Sequence, residues 1–223
     1  MTAELRKRII TSIILFALII FCIFAHIAIF IILVFTISYF TFNEIKNINH
    51  RILKNNSLLL NTVCIFYIFG IFSVAAISLY RMSGPVFLFY ILLICISSDV
   101  GGYFIGKKIG GKKLTKISPN KTVSGSIGSF CFSFLPLIIF YNLGIYGNLY
   151  SLENFSFCLL ISLVCQSGDL FISYLKRKAK VKDTGKILPG HGGLLDRIDG
   201  IIFTIPFVYI YIIDLSNYFK ILF

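Results

Sequence analysis

The sequence predicts an all-α protein, a polytopic transmembrane helix bundle of about seven spans within a range of roughly six to nine. Two observations predict this fold class. Apolar residues make up 57% of the 223 residues, charged residues only 13%, and the mean hydropathy is +0.91, which excludes a soluble globular protein. Apolar runs long enough to cross a hydrocarbon core also recur along the whole chain.

Seven apolar segments are the candidate spans, and short polar segments connect them. They lie near 9–24, 26–42, 58–80, 85–105, 123–141, 154–175 and 198–219. Basic residues precede the first segment, but no small-residue cleavage site follows it, so we interpret it as a retained span and not as a signal peptide. The break near His26 is weak, so the first two segments form either a tight hairpin or one kinked pair. Since no long linker or internal repeat interrupts the chain, we expect a single integral membrane domain over 1–223.

The distribution of lysine and arginine predicts the orientation of these spans. The N-terminal tail and the loops at 43–57, 106–122 and 176–197 hold 19 of the 21 basic residues, and only Arg81 and Lys220 lie elsewhere. By the positive-inside rule, the N-terminus and these loops are cytoplasmic, in a multi-pass protein of a bacterial-type inner (plasma) membrane. The net charge of +12 therefore indicates topology, and we expect no nucleic-acid partner.

Two carboxylates lie within predicted spans, Asp99 and Asp169. A charge at this depth costs about 2.5–3.5 kcal/mol on insertion scales, so each carboxylate needs a compensating contact. One interpretation is that each pairs with a nearby lysine or a hydroxyl on a neighbouring helix. The other is that the carboxylates hold a cation, which their small polar neighbours favour, since Gln166, Ser167 and Gly168 precede Asp169.

The segment 173–199 concentrates polar chemistry in an otherwise apolar chain. It holds seven basic residues, three carboxylates, one histidine and five glycine or proline residues. Asp196 and Asp199 are spaced to share one face at the start of the last helix, with helix capping as the simpler explanation. The glycines around His191 form a loop whose amides suit phosphate oxygens, and His191 itself suits phosphate contact or proton transfer.

A second polar segment, 118–122, opens the fifth predicted span. It reads Ser-Pro-Asn-Lys-Thr, which places Lys121 and hydroxyl groups at a helix N-terminus, where anions bind. Mg²⁺ is usually bound by one or two carboxylates together with substrate phosphates. Carboxylates, lysines and a glycine loop at a membrane face therefore predict a nucleotidyl or phosphoryl transferase that acts on a lipid phosphate.

These segments resemble the phosphatidate cytidylyltransferase (CDP-diacylglycerol synthase) family. The chain matches that family's C-terminal signature at every specified position of 173–199, and 118–122 resembles its Ser-Pro-x-Lys-Thr motif. The segment 99–106 is similar to its Asp-x-x-Ala-Tyr-x-x-Gly motif, with Gly102 in place of alanine, whereas Val-Ser-Gly at 123–125 stands where the family has Trp-Glu-Gly. The resemblance is strong from about 97 to 200.

The resemblance divides the expected domain into two parts. Residues 1–80 are N-terminal spans of weaker resemblance, in which hydropathy, the basic cluster and Glu44 correspond, and 85–219 carry the catalytic spans and cytoplasmic loops. The family's reaction transfers a cytidylyl group from CTP to phosphatidic acid, which gives CDP-diacylglycerol and pyrophosphate.

The resemblance also implies roles for polar residues of the motifs. The expected catalytic residues are Asp169, Asp196, Lys121, Lys176, His191 and Asp199. Nucleotide binding is expected of Ser118, Asn120, Lys121, Arg177, Lys182, Asp183, Gly192, Gly193 and Arg197. Asp169 and Asp196 are expected to bind Mg²⁺, with room for a second cation.

Other functions stay open at this point. The nearest is a CTP-dependent polyprenol or phytol kinase, and more distant ones are a transporter or a non-enzymatic membrane protein of the same fold. The expected partners are phosphatidic acid, CTP and the lipid bilayer, and a homodimer is left open.

Overall fold

The computed structural model describes residues 3–53, 58–115, 117–119, 121–145, 152–185, 187 and 192–222, with side chains described between residues 11 and 214. Within these ranges all regular secondary structure is helical, and an isolated β-bridge joins Lys113 and Thr122. The prediction of an all-α protein is confirmed.

The helices follow the predicted spans closely. In chain order they are α1 (Ala3–Ala25), α2 (Ile27–Leu53), α3 (Leu58–Ile65), a π-helical segment (Phe66–Phe72), α4 (Ser73–Ile109), α5 (Val123–Phe132), α6 (Leu135–Asn142), α7 (Leu152–Lys178), α8 (Leu195–Ile198) and α9 (Ile201–Leu222).

Four helical stretches of the described chain are long and apolar enough to cross a membrane. They are Ile27–Leu53, Leu58–Ile109, Val123–Asn142 and Leu152–Lys178. Two shorter apolar stretches, Thr11–Ala25 and Ile201–Asp214, lie on the first and last helices. The chain is thus a helical, multi-pass membrane protein.

The long stretch Leu58–Ile109 contains a sharp break. Gly84 has φ 81° and ψ 172°, a conformation that glycine adopts at little cost, and Pro85 follows it without a backbone N–H to donate. The break separates the segments predicted at 58–80 and 85–105. The segment predicted at 123–141 is also divided, because the helix stops at Ser133–Phe134 and restarts with Pro136 in its first turn.

The chain divides into two compact units, 1–89 with 175–223, and 90–174. The single domain expected over 1–223 stays a prediction.

In the first unit, α2 contacts α1, α3, the π-helical segment and α8. The Ser73 hydroxyl lies 2.9 Å from both the Ile68 carbonyl, five residues back, and the Ser38 hydroxyl of α2. These contacts fix the wide π-helical turn against α2, the helix that carries the polar residues described below.

In the second unit, α5 approaches α4 very closely. A Cβ at Gly102 would lie 2.5 Å from Ser129 Oγ, so the α4–α5 approach depends on glycine at this position. A hydrogen bond of 2.8 Å between the hydroxyls of Ser98 and Ser162 joins α4 to α7. Close packing of α4, α5 and α7 brings the polar residues of these three helices together.

Candidate active site

The first polar cluster lies in the second unit and is centred on Asp169 of α7. Its carboxylate forms an ion pair with Lys121, and the Ser173 hydroxyl donates to Asp169 Oδ1 at 3.3 Å. The Lys121 and Asp169 side chains are 28% and 25% exposed. The structure thus shows the first of the two interpretations for Asp169, a contact with a lysine and a hydroxyl. The carboxylate stays partly accessible.

The loop before α5 places Lys121 beside Asp169. The Lys121 N–H donates to the Ser118 carbonyl at 3.0 Å, and the Lys121 carbonyl accepts from the Leu114 N–H at 2.8 Å. Thr122 then caps α5, because its side-chain oxygen accepts from the Gly125 N–H at 3.0 Å. Ser118 and Lys121 are therefore joined by a backbone hydrogen bond, and Thr122 caps the helix that follows.

Lys121 and Asp169 face a recess of about 360 Å³. Its lining residues are Asp99, Gly102, Tyr103, Leu114, Ser118, Lys121, Thr122, Gly125, Ser126, Ser129, Gln166 and Asp169. The Ser126 hydroxyl donates to Gln166 Oε1 at 2.6 Å. Two carboxylates, a lysine and several hydroxyl and amide oxygens share this recess, so it can take up an anion, or a hard cation together with an anion.

Ser124, which stands where the resembling family has glutamate, contacts the loop. Its hydroxyl donates to the Gly110 carbonyl and lies 3.0 Å from the Thr122 hydroxyl. Ser124 therefore joins the start of α5 to the end of α4.

The second polar cluster lies in the first unit and is centred on Asp196 of α8. Lys176 Nζ, in the last turn of α7, is 2.8 Å from Asp196 Oδ1, and the side chains are 13% and 10% exposed, respectively. The N–H groups of Thr184 and Gly193 donate to Asp196 Oδ2 at 2.8 and 3.0 Å. Each carboxylate oxygen of Asp196 is therefore hydrogen-bonded.

The environment of Asp196 determines its charge state. Burial alone would raise the pKa of this carboxyl group, but the hydrogen bonds from Lys176, Thr184 and Gly193 and the positive charge of Lys176 outweigh burial and lower the pKa below its ordinary value. Asp196 is therefore firmly ionised at neutral pH.

A recess of about 750 Å³ lies beside this cluster, within the first unit. Its lining residues are Asn47, Ile48, His50, Arg51, Val181, Lys182, Asp183, Thr184 and Gly185. Lys182 and Asp183 were predicted site residues, whereas the three polar residues from the end of α2 were not. The basic residues of the loop 43–57 are a signal for them in the sequence, although those residues alone are explained equally well by the positive-inside rule.

Sequence reasoning also assigned no role to Glu44 of α2. Only 2% of this residue is exposed, and its carboxylate hydrogen-bonds Thr184 and the start of α8. Its signals in the sequence were a carboxylate at the end of an apolar segment and the correspondence of this position with the resembling family.

The remaining predicted residues have different placements. Arg177 and Arg197 are exposed, and Asp199 Oδ1 accepts from the Gly200 N–H at 3.0 Å. The expectation that Asp196 and Asp199 open the last helix was wrong, because Asp196 lies in the separate short helix α8 and the last helix begins at Ile201.

Two predicted residues, Asn120 and His191, lie outside the described residues. Gly192 has φ +85°, and a Cβ on it would lie 3.0 Å from Asp196 Oδ2, so glycine suits both its backbone and its surroundings.

Comparison with known proteins agrees with these motifs. Over 136 residues the chain is 43% identical to the phosphatidate cytidylyltransferase of Helicobacter pylori, a match that covers 60% of this chain and 50% of the relative. Identity to the Staphylococcus aureus protein of the same name is 43% over 136 residues, covering 60% and 52% of the two chains. For the Bacillus subtilis protein it is 42% over 127 residues, covering 56% and 47%. The chain spans about half the length of the curated relatives it matches.

The family profile extends further along the chain than these pairwise matches. It matches residues 49–214, and so includes both ion pairs and every lining residue of the two recesses except Asn47 and Ile48. Most of the 223 residues lie within the match, and the chain therefore belongs to the cytidylyltransferase family.

Proposed function

We propose that this protein is a phosphatidate cytidylyltransferase, which transfers the cytidylyl group of CTP to phosphatidic acid. One observation carries the proposal. In each of the two units, a carboxylate of the family motifs is paired with a lysine of the same motifs, Asp169 with Lys121 and Asp196 with Lys176. The names of the relatives support the same reaction.

The recess around Lys121 and Asp169 is a proposed binding site for a substrate phosphate. A lysine that is part-exposed and paired to one carboxylate can turn to a phosphate oxygen, because exposed ion pairs contribute only about 0–1 kcal/mol. Ser118, at the start of this loop, adds a hydroxyl to the same recess. These groups would neutralise and orient a phosphate at the end of the membrane-crossing helices.

The larger recess in the first unit is the proposed site for the phosphates of CTP. Three of its residues carry basic side chains, His50, Arg51 and Lys182, and Asp183 is the one carboxylate among its lining residues. This excess of basic groups over acidic ones suits a triphosphate. Arg177 and Arg197 are the further predicted phosphate contacts.

The residues present fit the Mg²⁺ ion that the family resemblance implies. Among the described residues no group of three or more His, Cys, Asp or Glu side chains could hold a metal by itself. Asp99 and Asp169, however, share a recess with several neutral oxygen donors, and Mg²⁺ needs only one or two carboxylates when phosphates complete its ligands. Asp169 is proposed as one Mg²⁺ ligand, and Asp196 of the family's C-terminal signature as the other. When bound, Mg²⁺ neutralises charge on the transferring phosphoryl group.

In the proposed reaction, a phosphate oxygen of phosphatidic acid attacks the α-phosphorus of CTP in line. A new P–O bond joins the two phosphates, the bond between the α- and β-phosphates breaks, and pyrophosphate leaves with that electron pair. Lys121 and Lys176 are the lysines proposed to neutralise phosphate charge, and the protein supplies alignment and electrostatics with no covalent intermediate.

The membrane arrangement is part of the proposal. We propose seven spans with the N-terminus and both polar clusters on the cytoplasmic side, in the inner membrane of a bacterium. The distribution of basic residues supports this orientation, and the relatives compared above are bacterial. A homodimer is the proposed assembly to test by the mass of the detergent-solubilised protein.

The test uses purified full-length protein with phosphatidic acid, Mg²⁺ and CTP labelled in either the α- or the γ-phosphate. The proposal predicts that α-label enters the lipid extract and γ-label enters pyrophosphate. Transfer of γ-label to a supplied polyprenol, with release of CDP, would instead indicate a lipid kinase. Absence of lipid-bound label with both forms of CTP would refute an enzymatic role in this reaction.

A further inference from the structure

Glu44 is the most deeply buried carboxylate of the described chain, and the proposed chemistry does not use it. Only 2% of Glu44 is exposed, and glutamate is almost never fully buried without partners. Oε2 accepts from the Thr184 hydroxyl at 2.6 Å and from the Leu195 N–H at 2.9 Å, and Oε1 accepts from the Leu194 N–H at 2.9 Å.

The groups bound by Glu44 alternate along the chain with the groups bound by Asp196. Thr184 donates its hydroxyl to Glu44 and its backbone N–H to Asp196 Oδ2. Gly193 donates its N–H to the same Asp196 oxygen, and the next two N–H groups donate to Glu44. The two carboxylates therefore hold the same two chain segments, one at Thr184 and one at 193–195, from different sides.

The glycines of these segments fit closely against Glu44. A Cβ on Gly185 would lie 2.5 Å from Glu44 Oε1, and a Cβ on Gly193 would contact both Glu44 Oε2 and the Thr184 hydroxyl. Real Cβ atoms do not approach this closely, so glycine at both positions is a steric consequence of the buried carboxylate. Part of the glycine content of 173–199 thus serves the contact with α2 and not a ligand.

We propose that Glu44 is a positioning residue for the transfer reaction: it fixes the segments at 184 and 193–195, and through Thr184 and Gly193 it fixes the carboxylate of Asp196. The inference rests on the proposed function, and it assigns to α2 a part in the site that its weak resemblance did not indicate. Glu44 acts through its neighbours and touches no substrate.

The Glu44→Gln variant tests the hydrogen bonds at constant size. All three partners of Glu44 are donors, so an amide group can satisfy at most two of them and must place its NH₂ against an N–H. Displacement of a catalytic group by about 1 Å can cost on the order of 100-fold in rate. We expect kcat per folded molecule to fall roughly 10- to 100-fold, with the KM for CTP within about threefold of wild type.

Thr184 gives a second, milder test. Thr184→Val removes the hydroxyl that donates to Glu44 but keeps the backbone N–H that donates to Asp196, whereas Thr184→Ser keeps both groups. We expect T184V to lower kcat roughly 3- to 10-fold, as for the loss of one hydrogen bond, and T184S to recover most of that loss.

Thr41→Val is the matched control. Thr41 lies on the same helix, three residues before Glu44, and its buried hydroxyl has no hydrogen-bond partner among the described residues. T41V removes a buried hydroxyl at nearly constant shape without touching the loop, so kcat and local amide exchange should stay at wild-type values.

Hydrogen–deuterium exchange supplies the readout that is independent of catalysis. With the full-length protein in detergent micelles, E44Q should speed exchange of the peptide that contains 193–195 by about tenfold or more, while α7 and α9 keep their protection. If E44Q does not accumulate as folded protein, the exchange of the same peptide is compared between T184V and T184S instead.

The outcomes separate the two proposals. Wild-type exchange at 193–195 in E44Q would overturn the positioning role whatever the activity. Faster exchange throughout the molecule, with wild-type kcat per folded molecule, would also overturn it and leave Glu44 a stabilising residue only. If wild-type protein forms no CDP-lipid, the proposed function fails, and the exchange of 193–195 still decides whether Glu44 holds the loop.

Discussion

The two ion pairs, one in each unit, have the same chemistry in different surroundings. Lys121 and Asp169 are 28% and 25% exposed, and a single hydroxyl at 3.3 Å supports the carboxylate. Lys176 and Asp196 are 13% and 10% exposed, and two backbone N–H groups support the carboxylate at 2.8 and 3.0 Å. The first pair faces a recess, whereas the second is buried and hydrogen-bonded to the surrounding backbone.

This difference indicates that the two pairs have different tasks. An exposed pair is weak and can exchange its partners for a substrate, whereas a buried, hydrogen-bonded pair is costly to break and fixes the backbone around it. We therefore expect changes at Asp169 to affect activity alone, and changes at Asp196 to affect both activity and stability.

The largest expected effect comes from Asp169→Asn and Asp196→Asn. Each should lower the rate of CDP-lipid formation by about 1,000-fold, as for the loss of a group that stabilises transition-state charge. D169N should keep a wild-type melting temperature, whereas D196N should melt several degrees lower because it leaves Lys176 without its partner. Activity and thermal unfolding of the two purified variants check this, and wild-type rates in either would remove that residue from the site.

Gly193→Ala tests the packing around the second pair. Its Cβ would contact the Thr184 hydroxyl and the Glu44 carboxylate, so we expect a loss of about 1–3 kcal/mol in stability and roughly 100-fold in rate. Gly70→Ala is the control, because its Cβ would meet only the Phe66 ring, at ordinary distances of 3.7 and 3.9 Å. Thermal unfolding of both variants checks this, and equal losses of stability in G193A and G70A would contradict the packing argument.

Lys176→Met should make the stability around Asp196 depend differently on pH. In the wild type the pKa of Asp196 is lowered, so its stabilising effect is complete above the ordinary carboxyl value of about 3.9 and is lost as pH falls through the folded-state pKa. Without Lys176, only the backbone hydrogen bonds oppose the effect of burial, so the pKa of Asp196 should be higher in K176M than in the wild type. K176M should thus be about 1–3 kcal/mol less stable at pH 7.

The difference in stability between K176M and wild type should shrink as pH falls through the lowered folded-state pKa of Asp196, because below that pKa the carboxyl is neutral in both proteins. Lys176→Arg should restore most of the stability at pH 7. Thermal unfolding between pH 7 and pH 3 measures this, and a difference that stays constant with pH would contradict the assigned cause.

The smallest expected effect is that of Ser173→Ala. Its hydroxyl donates to Asp169 over 3.3 Å, a long hydrogen bond, so its loss should change the rate by less than about threefold. A larger effect, measured in the same assay, would mean that the first pair is more rigidly held than its exposure indicates.

Much of the helical architecture could be predicted from the sequence because apolar runs and helix breakers act locally. The division between the segments predicted at 58–80 and 85–105 coincides with the break at Gly84 and Pro85, since both residues disrupt a helix by their own backbone chemistry. The start of α8 at Leu195 could not be predicted, because Glu44 binds the N–H groups of Leu194 and Leu195 there, a contact between residues about 150 positions apart.

The residues of the site could be predicted from the sequence, but their contacts could not. The motifs identified Asp169, Lys121, Asp196 and Lys176 individually, but their pairing is tertiary. A lysine partner was one of two interpretations for Asp169, whereas helix capping was the simpler explanation for Asp196. The role of α2 could not be inferred from spacing, since a carboxylate at the end of an apolar segment more often faces water than the backbone of a distant loop.

The central claim is that a phosphate oxygen of the lipid attacks the α-phosphorus of CTP. Phosphatidic acid with ¹⁸O in the non-ester oxygens of its phosphate, incubated with the protein, CTP and Mg²⁺, tests this directly by mass spectrometry of both products. The account predicts that CDP-diacylglycerol retains all of the ¹⁸O and that pyrophosphate contains none. Labelled pyrophosphate, or no CDP-diacylglycerol at all, would contradict it.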